Sequence, residues 1–225
     1  MSDESVQELW DAKYRSGHRE RYPWDAVVSF LFRHAPRDRA RDAVRVLEVG
    51  FGTGNNLWCA AREGFAVAGV EFSEAAVIVA RARFVDEQLA GDLQHGSFTA
   101  LPFSDGYADL AIDRAAITCA SRDDAVLAVS ELHRVLQPGG RVLSCLYATQ
   151  STSASSGTRG TDGRRHDITS GTLTNVGPLR FYDETEVRDL FAAWRVISLA
   201  RHDRTEYAGE PIVHAEWHVI AEKPL

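Results

Sequence analysis

The stretch Val46-Leu47-Glu48-Val49-Gly50-Phe51-Gly52-Thr53-Gly54-Asn55-Asn56 decides the fold. The apolar run from Val44 to Val49 reads as a buried strand, and a helix follows from Thr53. Between them three glycines alternate with other residues, so the backbone can turn sharply and come close to a ligand. The first N–H groups of the following helix lack intrahelical partners and point at whatever sits above the turn. The next apolar run, Phe65 to Val70, closes on Glu71. That spacing sets a carboxylate beside the turn, where it can accept hydrogen bonds from two ribose hydroxyls.

Outward from this stretch the pattern alternates. Strand 44–49, helix 53–62, strand 66–71 and helix 73–88, capped by Ser73, are followed by a short strand near 93–95. Ala108 to Asp113 is an apolar run closing on an acid. Residues 123–136 read as a helix with Val126, Val129, Leu132 and Val135 on one face. Pro138-Gly139-Gly140 then turns the chain into a strand over 141–147. Strands separated by helices predict a parallel sheet covered on both faces, with ligands at the carboxyl ends of the strands. After the stretch 148–180, Asp183 caps a helix with Glu186 three residues on, and Val187, Leu190, Phe191 and Trp194 give that helix its apolar face. Strands over 195–201 and 212–222, joined by a turn with Gly209 and Pro211, must run antiparallel to each other. The fold class expected is therefore α/β: a doubly wound, mostly parallel seven-stranded sheet whose last strand is antiparallel.

The chain reads as one domain in four parts. Residues 1–40 form a helical cover, with Val6, Leu9, Trp10 and Tyr14 at helical spacing before Gly17. A second helix is capped by Asp25 and carries Val27, Phe30, Leu31 and His34. Residues 44–147 form the ligand-binding core. Residues 148–180 are rich in Ser, Thr and Gly and leave the carboxyl end of a strand, so they read as a lid. Residues 181–225 close the sheet.

Charge and composition narrow the partners. The net charge of −7 argues against a nucleic-acid binder, because a phosphate backbone needs a basic surface. Arg159, Arg164 and Arg165 form a short basic patch, read as a solvated loop. Cys59, Cys119 and Cys145 are widely spaced, with no C-x-x-C pair, which suits a reduced cytoplasmic protein better than a disulfide frame or zinc site. The acidic N-terminus and the lack of a membrane-length apolar run predict neither signal peptide nor membrane span. A monomer or homodimer is expected.

The series Gly50-x-Gly52-x-Gly54, Glu71, Leu101-Pro102-Phe103, Asp113, Pro138-Gly139-Gly140 and the antiparallel finish resembles the class I S-adenosylmethionine-dependent methyltransferases. The usual dinucleotide fingerprint would place a glycine at Asn55, which disfavours an oxidoreductase. The resemblance implies S-adenosylmethionine as cofactor and S-adenosylhomocysteine as product. It implies that Glu48, Gly50, Gly52 and Asn55 surround the methionine part, that Glu71 holds the ribose, and that Phe72, Ser97 and Phe98 flank the adenine. Many members carry an acid at the Ser97 position. Asp113, with Arg114 and Ala115, is implied to lie near the transferred methyl.

The acceptor side is read from the remaining residues. Tyr14 is expected at the methionine end, since a sulfonium and a carboxylate suit an aromatic wall with a hydroxyl. Tyr22 and Trp24 are expected to touch the acceptor, whereas Trp10 reads as core. Tyr147 closes the fifth strand and should face the pocket. His214, Glu216 and His218 fall at period two and so share one side of a strand. They read as a polar face rather than a metal triad, with His214 nearest the ligand edge. Asp113, His214 and His166 are the acid–base candidates. A base is needed only if the acceptor carries a proton at working pH. The function expected is methyl transfer to oxygen or nitrogen of a small polar molecule, in natural-product or sugar metabolism. The alternatives are a dinucleotide-dependent oxidoreductase and a catalytically silent cofactor- or partner-binding protein.

Overall fold

A computed structural model describes residues 3–225. In chain order the elements are α1 (Asp3–Arg15), α2 (Asp25–His34), β1 (Arg45–Val49), α3 (Asn55–Arg62), β2 (Ala66–Glu71), α4 (Glu74–Asp86), β3 (Asp92–His95) and β4 (Ala108–Arg114). They continue with α5 (Arg122–Val135), β5 (Leu136–Tyr147), the two-residue strands β6 (Thr158–Arg159) and β7 (Arg165–His166), α6 (Glu184–Leu190), β8 (Arg195–Glu206) and β9 (Ile212–Glu222).

Seven strands form one sheet in the order β3-β2-β1-β4-β5-β9-β8. The first five are mutually parallel. β9 is inserted antiparallel between β5 and β8. The fold is thus the expected Rossmann-like α/β arrangement. β1 lies inside the sheet with helices over both faces, which explains its unbroken apolar run: Val46, Leu47 and Val49 are fully buried. One core packs Leu47, Val49 and Val70 against α5 and α6. The other packs Val46, Val67 and Ile112 against α2, α3 and α4. From β1 the chain winds outward to β3 and then crosses back to β4, on the other side of β1. That reversal opens a crevice at the carboxyl ends of β1 and β4.

Several local expectations are corrected. Asp25 is the first residue of α2, and Trp24 holds the cap position with no side-chain cap bond. α5 is capped by Ser121, whose hydroxyl accepts from Asp124 N. Its buried face is Ala125, Ala128, Val129, Leu132 and Val135, while Val126 is 56% exposed. A buried helix stripe needs neighbours three and four apart, and two small alanines carry it here. β5 starts at Leu136, and Pro138-Gly139-Gly140 lies in an irregularity where the pairing jumps from Ala108↔Leu136 to Leu110↔Arg141. β8 runs five residues beyond 201, to Glu206, as a two-stranded ribbon with β9.

The connection 148–180 folds onto the body. Ser151 Oγ donates to Ala215 O at 2.8 Å and accepts from Ala215 N at 2.9 Å. Ile168, Leu173, Leu179 and Phe181 form a small apolar cluster beneath it. The β6–β7 hairpin crosses the front of α5, where Arg122 N–H donates to Asp162 O. α1 is pinned over the ends of β1 and β2 by Gln7 Nε2, which donates to Phe72 O, and by Asp11, which accepts from Ser73 Oγ and Ala75 N. No helix among the described residues is long and apolar enough to cross a membrane.

Candidate active site

The glycine turn needs its glycines. Gly50 and Gly52 have φ of +64° and +54°, in the left-handed region. A Cβ on Gly50 would lie 2.3 Å from Ala116 Cβ, and one on Gly52 would lie 2.9 Å from the Tyr14 hydroxyl. The turn therefore passes tightly between the end of β4 and the side chain of α1.

Two carboxylates stand at the turn, each 3% exposed or less. Glu71 at the end of β2 accepts from Gly52 N at 2.8 Å through Oε2 and from Ser73 N at 2.9 Å through Oε1. Burial still pushes its carboxyl up to about 7 against those hydrogen bonds. Glu48 on β1 accepts from Asn56 Nδ2 at 2.7 Å through Oε1, and its Oε2 is buried with no donor. Burial pushes the Glu48 carboxyl up to about 8, with the Asn56 hydrogen bond opposing. A buried acceptor left unmet in this way calls for a ligand donor.

Two cavities open from the turn. One, of about 220 Å³, is lined by Glu71, Phe72, Ser97, Phe98 and Arg164. The other, of about 640 Å³, is lined by Glu48, Gly52, Asn55, Trp24, Tyr147, Thr172, His214 and Glu216. Trp10, Tyr14, Gly50, Arg114, Ala115 and Cys119 line both, so the two are halves of one cleft. Cys119 stays a thiol at neutral pH, because burial pushes it up to about 12.

The larger half carries a charged cluster. Arg114 Nη1 lies 3.1 Å from Glu216 Oε2, and its guanidinium sits 4.1 Å from the centre of the Trp24 ring. His218 Nε2 meets Glu216 Oε1 at 2.9 Å, and His214 Nε2 lies 3.8 Å from Oε2. Burial disfavours the charged Glu216, but His214, His218 and Arg114 outweigh it and hold the carboxyl well below its ordinary value. His214 Nδ1 shares a hydrogen bond of 2.7 Å with the Thr172 hydroxyl, and the Tyr147 ring packs edge-on against the imidazole. The period-two set is thus a polar face organised around an arginine.

Four expectations are placed differently. Asp113 does not face the cleft. It is fully buried, its Oδ1 accepts from Ala116 N and Ile117 N at 2.9 and 3.0 Å, and its Oδ2 accepts from Ser144 Oγ at 2.6 Å. It braces the turn in which Ala115 adopts φ +61°, a strained value for a residue with a Cβ. The Tyr22 side chain is 67% exposed and outside the cleft lining; only its carbonyl contributes, accepting from Asn55 Nδ2. His166 lies on β7, outside both cavities, and turns to Asp162 at 3.3 Å. Arg164, read as part of a solvated loop, is 3% exposed. The residues that sequence reasoning under-read are Trp10, Arg114 and Thr172. Trp10 lies on the apolar face of α1, but that face covers the cleft rather than the core. Arg114 is one step along the strand from Asp113, and the pleat turns successive side chains to opposite faces.

A family model described as a methyltransferase domain matches residues 46–140. The demethylmenaquinone methyltransferase of Clavibacter sepedonicus is 34% identical over 111 residues, which are 47% of this chain and 42% of that one. The chain spans less than half the length of the curated relatives it matches. Among solved structures, the 1,6-didemethyltoxoflavin-N1-methyltransferase of Burkholderia thailandensis, with 1,6-didemethyltoxoflavin and S-adenosylhomocysteine bound, aligns over 99% of this chain and 89% of that one. Its TM-score is 0.69 at 16% identity. The [4+2]-cyclase SpnF aligns over 98% of this chain and 93% of its own, with a TM-score of 0.65 at 16% identity. At these identities the structural likeness speaks for the fold, and one fold carries more than one chemistry.

Proposed function

We propose that the chain is a class I S-adenosylmethionine-dependent methyltransferase, a reading supported by the methyltransferase-domain match over residues 46–140, and that it transfers a methyl group from S-adenosylmethionine to an oxygen or nitrogen of a small polar acceptor. The observation that carries this reading is the Glu48 carboxylate, buried at the glycine turn with Oε2 unmet. The ammonium of the cofactor's methionine part is a donor of the right charge for it. Gly50, Gly52 and Asn55 enclose the same end, with the Tyr14 hydroxyl beside Gly52. Glu71 takes the ribose hydroxyls, and Phe72, Ser97 and Phe98 border the adenine in the smaller half of the cleft.

The bound cofactor supplies an electrophilic methyl on a sulfonium whose leaving group is neutral. The chain's own work is then to align the acceptor and exclude water. Trp24, Tyr147, Thr172 and His214 border the space for the acceptor. With the Nε2 hydrogen of His214 turned to Glu216, Nδ1 offers a lone pair where the Thr172 hydroxyl now sits. An acceptor O–H or N–H that displaces that hydroxyl meets a base at Nδ1, and the Glu216 carboxylate stabilises the resulting imidazolium.

The test is release of S-adenosylhomocysteine with a panel of small hydroxyl and amine acceptors, alongside calorimetric binding of S-adenosylmethionine and NADH. Cofactor-dependent turnover with at least one acceptor is expected. Binding of NADH without binding of S-adenosylmethionine would overturn the assignment. Binding of S-adenosylmethionine with no turnover across the panel would favour a catalytically silent protein.

A further inference from the structure

The β6–β7 hairpin carries a like-charge pair. Arg159 and Arg165 are directly opposite each other in its two-residue ladder. Like charges directly opposite on a ribbon repel. Among the described residues neither guanidinium has an acidic partner. The acid of the hairpin, Asp162, is turned instead to Arg164 at 2.8 Å and His166 at 3.3 Å.

Both arginines line a cavity of about 550 Å³ on the opposite side of the hairpin from the cofactor cleft, together with Arg122 and Arg180. Arg122 is the first residue of α5, and its N–H holds the hairpin loop through Asp162 O at 3.0 Å. The cavity does contain acids, but they are committed. Glu186 pairs with Arg180 at 3.0 Å, and the Asp183 carboxylate caps α6 by accepting from Glu186 N. Among the described residues Arg122, Arg159 and Arg165 have no ion-pair partner, and with Arg180 and Glu186 paired the lining keeps three guanidinium charges against the single carboxylate of Asp183. Thr149 and Thr161 add hydroxyl donors to its wall. This concentration of positive charge stands on a chain of net charge −7. Guanidinium forks match the oxygens of a phosphate in pairs, and three of them lining one cavity suit a dianion better than a single carboxylate. The volume falls in the range of small-molecule sites, roughly 300–1,000 Å³.

We propose that this cavity is a second ligand site, for a phosphate dianion, in which Arg159 and Arg165 grip the anion that relieves their mutual repulsion. The hairpin lies between the two cavities, with Arg164 lining the cofactor cleft and its neighbour Arg165 lining the anion cavity.

The test is calorimetric titration of the full chain, saturated with S-adenosylhomocysteine, with sodium phosphate and with glycerol 3-phosphate at constant ionic strength. One saturable site is expected, weakened at least tenfold in both Arg159→Gln and Arg165→Gln. Arg159 is exposed on the outer strand, so its replacement leaves folding intact. Tighter binding of glycerol 3-phosphate would identify a small phosphorylated molecule as the occupant, and equal or tighter binding of phosphate itself a free inorganic phosphate. Heats that never saturate, competition with S-adenosylhomocysteine, or unchanged affinity in both variants would each overturn the proposal.

Discussion

Asn56 Nδ2 donates to Glu48 Oε1 at 2.7 Å, and the other oxygen of that carboxylate is enclosed without a donor. We read the pair as half of a binding site, in which the amide fixes the rotamer and the second oxygen takes a cation. Because burial pushes the Glu48 carboxyl up to about 8, its charge state is linked to occupancy.

The first prediction is a proton release. Below about pH 8 the free protein carries a proton on Glu48, and an ammonium at Oε2 favours the ionised form. Affinity for S-adenosylhomocysteine should therefore rise from pH 6 to pH 8 and level off above. The binding heat should vary with the ionisation enthalpy of the buffer. The sign for stability is opposite. Between the ordinary value of 4.5 and about 8 the folded chain holds more protons at Glu48 than the unfolded chain, so this group's contribution to stability falls as pH rises. The melting temperature of the free protein, measured relative to Glu48→Gln, should decline across that window. A flat affinity profile with buffer-independent heats would remove Glu48 from the site.

The second concerns the ribose. Glu71 is held at the turn by two main-chain N–H groups, so it is positioned before any ligand arrives. Glu71→Ala should weaken S-adenosylhomocysteine binding by about 1–3 kcal/mol, the usual worth of a hydrogen bond to a charged group. Gly52→Val should abolish binding, since a Cβ there would lie 2.9 Å from the Tyr14 hydroxyl on a backbone with φ +54°. Calorimetry reads both, and wild-type affinity in either variant would refute the cofactor placement.

The third separates bracing from chemistry. Asp113 accepts three hydrogen bonds in full burial, two of them from the turn that presents Arg114 and Ala115 to the cleft. Asp113→Ala should cost about 2–4 kcal/mol in unfolding free energy, because it strands buried donors. Asp113→Asn keeps an acceptor for the turn, and the Ser144 hydroxyl can rotate to accept from the new amide. It should keep most of the stability and turnover within about tenfold of wild type, well short of the 10²–10⁴ that losing a general base costs. Normal melting of Asp113→Asn with turnover lost a thousandfold would return Asp113 to the reaction itself.

These residues also show how far the chain could be read before its structure. Element order and the turn at Gly50 were legible, because periodicity and glycine spacing are local signals. So was the Asp183–Glu186 capping box, which forms as expected. Asp113 was misread because β4 is buried on both faces, so no alternation marks which side chain meets the cleft and which meets Ser144. Trp10 was misread for a related reason: an apolar helix face looks the same whether it covers a core or a ligand. The Arg159–Arg165 opposition was hidden in a loop of low complexity, since nothing local predicts that a stretch of Ser, Thr and Gly will fold into a hairpin.

The last prediction addresses the acceptor. Thr172, His214 and Glu216 form a line from the cleft into the β8–β9 ribbon, with His214 in the middle. If His214 takes the acceptor's proton, His214→Gln should lower kcat by about 10²–10⁴ while leaving S-adenosylhomocysteine affinity unchanged, because Gln keeps polarity and loses basicity. The rate of the variant should also recover with rising pH, as acceptor that ionises in solution no longer needs a base. Glu216→Gln should show a smaller loss of the same kind, since it removes the charge that stabilises the imidazolium and leaves the ring in place. The measurement is kcat and KM as a function of pH with an acceptor found by S-adenosylhomocysteine release. Unchanged kcat in His214→Gln at neutral pH would mean that the acceptor enters already ionised, with His214 serving only to shape its cavity.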